Sequence, residues 1–130
     1  EFGLTGLGEF DSNRVMRFPS KLNVIESFHK DRVSKLNLLR KEFPSLSIGD
    51  FMVLRESKNF TAWLKSYYNE KILIFFNLQD KIIEKNIPLP FESSHLISLL
   101  DDSVIELSDS TMASFVIPPY KTGVYLLKSK

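Results

Sequence analysis

No cysteine occurs in these 130 residues. Disulfides, thiolate zinc sites and thiol nucleophiles are thereby excluded, and the absence fits bacterial cytoplasm, periplasm and secretion alike. Histidine is almost as scarce. Neither His29 nor His95 has a carboxylate or a second histidine four residues away, the i+4 spacing on a helix, so solvent or core-edge roles are expected, with no metal site. The net charge is only +1, which argues against a nucleic-acid or general polyanion binder. No apolar run approaches the ~20 residues needed to span a bilayer. Three of the five glycines, Gly3, Gly6 and Gly8, crowd the first eight residues. They form no G-x-G-x-x-G and no Lys-Ser/Thr follows, so a plain loop is expected there and no phosphate or cofactor cradle. The chain opens on Glu1 without an initiator Met or a basic-then-apolar leader. It therefore reads as a piece of a longer protein.

What is abundant is phenylalanine, at eleven copies, a content that suits the interior of a β-sandwich and argues against disorder. The length accommodates one domain, or one domain with part of another attached. It suffices to bury roughly two-thirds of the surface of the unfolded chain.

The chain changes character within Lys35–Phe51, KLNLLRKEFPSLSIGDF. Before Pro44, the residues Leu36, Leu39 and Phe43 recur at helical spacing, with Arg40, Lys41 and Glu42 on the polar face. A helix over Val24–Phe43 is predicted, with Asn23 as N-cap and Glu26 completing a capping-box pair. Its apolar stripe would run through Ile25, Phe28, Leu36, Leu39 and Phe43, interrupted by Arg32. Pro44 lacks an N–H and biases Phe43 out of the helical region, so the helix ends there.

After Pro44 come short apolar runs cut by turn residues. Strands are predicted at Phe51–Arg55, Phe60–Tyr68, Lys71–Asn77, Ile82–Ile87, Leu96–Leu100, Val104–Leu107, Met112–Ile117 and Val124–Leu127. Ser57-Lys58-Asn59 turns between the first two, and Asn69-Glu70 is the tight connection into the third. The run Ile72–Phe76 is continuously apolar, so both its faces should be covered and it should centre the core. Asp101-Asp102-Ser103 reads as a hairpin turn, and the last two strands as a closing hairpin around Pro118–Gly123. Strands every 8–12 residues with turn chemistry between them indicate a mainly β fold, an antiparallel Greek-key sandwich preceded by an N-terminal loop and one α-helix.

The segment Lys35–Phe51 also resembles the join between the last barrel helix and the C-terminal β domain of α-amylase-family glycoside hydrolases. That family typically reads LxxLRKxxPALxxGxF at this point. Leu36, Leu39, Arg40, Lys41, Pro44, Leu46, Gly49 and Phe51 stand in those places, with Ser45 where Ala is usual. A looser resemblance places Glu1, Gly3, Gly6, Arg14, Met16 and Phe18 in the segment after the eighth barrel strand, Phe18 replacing the usual Trp. Ala62, Ile72, Leu73, Ile74 and Asn77 fit the family's strand pair, with Lys65 in place of Arg. The resemblance implies residues 1–44 as the end of the (β/α)8 barrel and residues 45–130 as the C-terminal β-sandwich. It implies a parent acting on α-glucosidic bonds of starch-like glucans, with the catalytic carboxylates on earlier barrel strands. The domain would shield and stabilise the barrel of the same polypeptide, and some members use it to bind sugar. No catalytic, cofactor or metal residue is expected in this chain.

Two local features compete with that reading. Adjacent Asp101 and Asp102 could suggest a glycosidase carboxylate pair, but neighbours in a turn usually diverge and stay solvated, and retention needs carboxyls ~5–5.5 Å apart. Trp63 and Tyr67 share one strand face with Thr61 and Lys65, and flat exposed rings of this kind stack on sugars. A carbohydrate-binding module that holds α-glucan through Trp63 and Tyr67 is therefore the alternative to packing of these rings.

A helix cut from its barrel keeps an uncovered apolar stripe. Ile25 and Phe28 lie about 12 Å or more from the join at 1.5 Å per residue. Such a stripe favours either a dimer contact through the first half of the helix or poor order over Glu1–Asn23. Light scattering with amide exchange tests this. A strict monomer whose Glu1–Phe28 amides are as protected as those of Ile72–Phe76 would overturn it.

Overall fold

The computed structural model describes residues 22–129 of the chain. The expected Gly-rich loop and the residues Glu1, Gly3, Gly6, Arg14, Met16 and Phe18 lie outside the described residues. Two compact units divide the chain between Glu42 and Phe43.

Helix α1, Val24–Glu42, belongs to the first unit. It opens on the predicted capping box. Glu26 N–H donates to Asn23 Oδ1 and Asn23 N–H donates to Glu26 Oε2, both at 2.9 Å, so two orphan donors of the first turn are satisfied reciprocally. Leu39 is buried, whereas Val24, Ile25, Phe28 and Leu36 are exposed.

The second unit begins with a feature absent from the sequence reading. Ser45–Ile48 forms a short helix, α2, where the strand region was expected to begin. Pro44 sits at φ −54°, and its carbonyl accepts from Ser47 N–H and Ile48 N–H at 3.0 and 2.9 Å. The ring that ends one helix is thus preset to start the next.

Eight strands follow: β1 Asp50–Ser57, β2 Phe60–Tyr67, β3 Glu70–Asn77, β4 Ile83–Pro88, β5 His95–Ser98, β6 Val104–Glu106, β7 Met112–Ile117 and β8 Thr122–Lys128. They make a six-stranded sheet in the order β1-β2-β3-β8-β5-β6 and a two-stranded sheet of β4 and β7. Every pairing is antiparallel, as expected for the mainly β sandwich. Two expectations are corrected. The β2–β3 connection is Tyr68-Asn69, because Tyr67 pairs with Glu70 and Glu70 already belongs to β3. The final two strands are not a hairpin: β7 pairs with β4 in the small sheet, while β8 inserts between β3 and β5. Pro118-Pro119 carries the chain across the sandwich, a crossover that turn residues alone do not distinguish from a hairpin.

Strand alternation sorts the side chains into two faces. Phe60, Ala62, Leu64, Leu73 and Phe75 point into the core with Ile83, Ile87, Ala113, Phe115, Ile117, Leu96 and Leu127. Phe75 is central, with ring centroids 4.8 Å from Phe115, 5.7 Å from Tyr125 and 6.3 Å from Phe60. Its register partner is Gly123, where a Cβ would collide with the Phe75 ring. The glycine leaves room for an aromatic that spans two strands.

On the other face of the large sheet, Val53, Trp63, Ile74 and Val124 align in one row. Phe51 and Val53 are about half exposed there, at 55% and 48%. On the same face Ile72 is fully buried and Ile74 and Phe76 are partly covered, so β3 is covered on both faces but less completely away from the core. Phe75→Ala should therefore cost ~3–5 kcal/mol, the range for a buried aromatic that leaves a cavity. Ile74→Ala should cost less than Phe75→Ala, and Lys58→Ala no more than ~0.5 kcal/mol. Denaturant midpoints measure all three, and equal values would show the core to be misplaced.

Candidate functional site

The carboxylate pair resolves into turn chemistry. Asp101 Oδ1 accepts from the Ser103 hydroxyl at 2.6 Å and from Ser103 N–H at 3.3 Å, while Asp102 takes a positive φ of 61°. The short side chain of Asp101 substitutes for a backbone acceptor two residues on, and Asp tolerates the left-handed conformation. The Ser103 hydroxyl, the Ser98 side chain and the Ser103 N–H together lower the Asp101 pKa from 3.8 to about 2, with Lys121 assisting and burial opposing. Burial, together with the Asp101 charge, raises the pKa of Tyr125.

His29 belongs to the first unit and His95 to the second. His95 Nδ1 lies 2.9 Å from Ser94 Oγ at the start of β5, and His29 meets Phe28 edge-on on α1. Among the described residues no group of three or more His, Asp or Glu side chains could hold a metal ion.

Trp63 and Tyr67 do share a strand face, but the structure gives them different neighbours. The Trp63 ring is met by Phe51 at 5.3 Å and Phe76 at 5.2 Å. It is part of an apolar surface running over β1, β2 and β3. Tyr67 instead meets Tyr68 edge-on at 4.6 Å. Tyr68 is 87% exposed and sits at φ 50°. Hairpin turns reserve such a position for Gly or Asn, because a Cβ there costs on the order of 1–3 kcal/mol.

Beside that turn the second unit opens a cleft of about 340 Å³. Asn69, Glu70 and Lys71 line it from the start of β3, and Leu126, Leu127 and Lys128 from the end of β8. Phe43, Glu92 and Ser93 complete the lining. Glu70 is fixed from a second direction, since its Oε1 accepts from Ser45 N–H at 2.7 Å. The Lys71 ammonium rests 3.9 Å above the Phe91 ring. Sequence reasoning missed this cleft because its residues are scattered over separate segments of the chain. The one local signal was a tyrosine in a two-residue turn.

No family model matches the chain. It is 24% identical to a cyclomaltodextrinase of Geobacillus thermopakistaniensis over 131 residues, 99% of this chain and 22% of that protein. Among solved structures, an α-amylase of Anoxybacillus superimposes with a TM-score of 0.77 at 26% identity, over 94% of this chain and 26% of its own. The α-amylase of Geobacillus thermoleovorans, solved with acarbose, gives 0.73 at 25% identity, over 92% of this chain and 26% of its own. The likeness is to the α-amylase family.

The chain spans about a quarter or less of the length of these α-amylase-family relatives. The sequence pattern of the join, from Leu36 to Phe51, resembles that of the same family. Two positions of the strand pair that resembles the family have structural contacts in this chain. Lys65 Nζ, where the family usually has Arg, donates to Gly49 O at 2.6 Å, and Asn77 is almost fully buried.

The pH behaviour follows from the Asp101 turn. A carboxylate whose pKa is lowered on folding contributes stability above its unfolded value, about 3.9, and loses it as the pH falls through its folded value. For Asp101 that window runs from about pH 4 down to about 2. Asp109 is shifted the same way by the Thr111 N–H and hydroxyl. Asp101→Asn should therefore be less stable than the parent near neutrality, and the difference should shrink as the pH falls from about 4 to about 2. Urea midpoints at several pH values check this, and identical acid limbs in both proteins would remove Asp101 as a cause.

Proposed function

We propose that this chain is the non-catalytic C-terminal region of an α-amylase-family enzyme acting on α-glucosidic bonds of starch-like glucans. Residues 1–44 would be the end of the (β/α)8 barrel and residues 45–130 the β-sandwich that stabilises it. The observation that carries the reading is the coverage: nearly all of this chain aligns with only 22% of a cyclomaltodextrinase. A second feature supports it. The large sheet leaves Phe51, Val53, Trp63 and Phe76 as one partly exposed apolar surface on the side away from the core, the kind of face that is covered in a larger assembly. The catalytic barrel of the same polypeptide is its proposed partner.

A carbohydrate-binding module built on Trp63 and Tyr67 is the second reading. Because Phe51 and Phe76 engage the Trp63 ring, the geometry favours a packing face at Trp63 over an open stacking platform.

The coding sequence upstream of Glu1 provides the test. It should encode barrel strands with the Asp and Glu carboxylates that glycoside hydrolysis requires. An unrelated upstream domain, or an in-frame stop codon, would overturn the assignment. The chain by itself should not turn over starch, pullulan or a nitrophenyl maltoside. Turnover abolished by changing a single Asp or Glu of this chain would be equally fatal.

A further inference from the structure

We propose that β1 is a self-pairing edge, on which a second copy of this chain docks antiparallel about a two-fold axis at Met52 and joins two large sheets into one. The contact uses the backbone edge of the strand and leaves the outer face of the sheet open, so it does not depend on the barrel reading above. β1 stands at one end of the six-stranded sheet, with β2 as its neighbour there. The strand at the other end, β6, has three residues and offers little to pair with, whereas β1 has eight. Edge strands are commonly guarded by proline or lysine, and β1 carries neither. Its guard is a bulge between Val53 and Arg55, which disrupts only the second half. There Arg55 Nη1 also donates to Asn86 O of β4 at 2.7 Å. The first half stays regular, and Phe51, Met52 and Val53 are each about half exposed.

The two-residue turns fix which backbone groups are free. The closing pair of such a hairpin exchanges both backbone bonds, and the exchange then recurs at every second pair. Run back from Ser57↔Phe60 and Tyr67↔Glu70, this alternation gives Asp50 and Met52 to the β2 ladder and turns the N–H and C=O of Phe51 and Val53 outward. An antiparallel copy centred on Met52 therefore sets Phe51 opposite Val53 of the second copy, twice over. Aromatic against β-branched is a favourable cross-strand pair.

Charge chooses the same arrangement. Asp50, Met52 and Arg55 register with Ser66, Leu64 and Ala62, so they share the core-side face of β1. On that face the second copy brings its Arg55 beside Asp50 and its Asp50 beside Arg55, and two opposite-charge contacts flank the methionine pair. Arg55 uses one of its five guanidinium donors on Asn86. A parallel copy would set Asp50 against Asp50, which is destabilising.

Light scattering of the 130-residue chain from about 10 μM to about 1 mM is the test, because pairing over Asp50–Leu54 makes a small and weak interface. The mean mass should climb toward that of a dimer. Asp50→Lys changes an exposed side chain, so it should leave the thermal midpoint in place and weaken association about tenfold. Arg55→Glu should weaken it likewise. Mixing the two variants should restore dimers of one chain of each kind, since every reversed charge then meets its opposite. Val53→Pro, which removes an outward N–H, should abolish the dimer independently of Arg55. Phe28→Glu on α1 should have no effect. A chain that stays monomeric at about 1 mM, a dimer indifferent to Asp50→Lys or to Val53→Pro, folded charge variants that stay apart when mixed, or a dimer lost in Phe28→Glu would each overturn the proposal.

Discussion

One buried amide connects the parts of the sandwich that the backbone ladders cannot. Asn77 closes β3, and its Nδ2 donates to the carbonyls of Lys81, at 3.0 Å, and Pro118, at 2.8 Å, with Ile117 O at 3.4 Å. Its Oδ1 accepts from Gln79 N–H at 3.0 Å, and its own N–H donates to Lys121 O at 2.9 Å. These partners lie on the link from β3 to β4 and on the crossover from β7 to β8. Both are places where the chain leaves one sheet for the other, so no strand neighbour can satisfy those carbonyls. An apolar residue at this position would remove the side-chain donor shared by the carbonyls of Lys81 and Pro118, at about 0.5–1.5 kcal/mol per hydrogen bond. That amide ties both crossovers to the end of β3 at one point.

Once the crossovers are pinned, the core can be built around one large ring. Phe75 stands one pleat before Asn77 on the same face of β3, and the absence of a side chain at Gly123 lets it lie across β8 toward Tyr125. The small sheet supplies Phe115 from β7. The remaining apolar side chains of β1, β2 and β3 are left on the opposite face, where Ile72 is still buried and Ile74 and Phe76 are partly covered.

How much of this was legible depended on whether a feature was local. The capping box of Asn23 and Glu26, the end of α1 before Pro44, the Asp101 turn and the identity of the central strand could all be read, because each is set by residues within a few positions. Helix α2 was hidden because four residues carry no periodicity, and Pro44 marks an end and a beginning equally well. The β2–β3 turn was misplaced by one residue because Tyr68 violates turn preference, so propensity pointed to Asn69-Glu70 instead. The separation of β7 from β8 is a matter of topology. It is settled by hydrogen bonds such as those of Asn77 to Lys81 and Pro118, which join separate segments of the chain. Trp63 and Tyr67 were correctly placed on one face, yet only the positions of Phe51, Phe76 and Tyr68 show what each ring meets.

The family-like pattern at the join is legible for a physical reason that the structure supplies. Pro44 starts α2. The residue after it is completely buried, so it must be small, and the Ser45 hydroxyl finds no hydrogen-bond partner there. That is a site where the alanine of the family pattern loses nothing. At Gly49 a Cβ would come within 2.5 Å of Ser45 O and 2.7 Å of Ser66 O, because the chain must pass tightly over β2 before entering β1. The Ser45 N–H to Glu70 bond and the Lys65 to Gly49 O bond then tie this passage to β3 and β2. Proline, a small residue and glycine are thus each demanded by a different contact of one short crossing. Spacing between them is fixed by the single turn of α2, which is why the pattern survives as a fixed string where the looser β segments do not. Glu70, which anchors that crossing, also lines the cleft beside Tyr68.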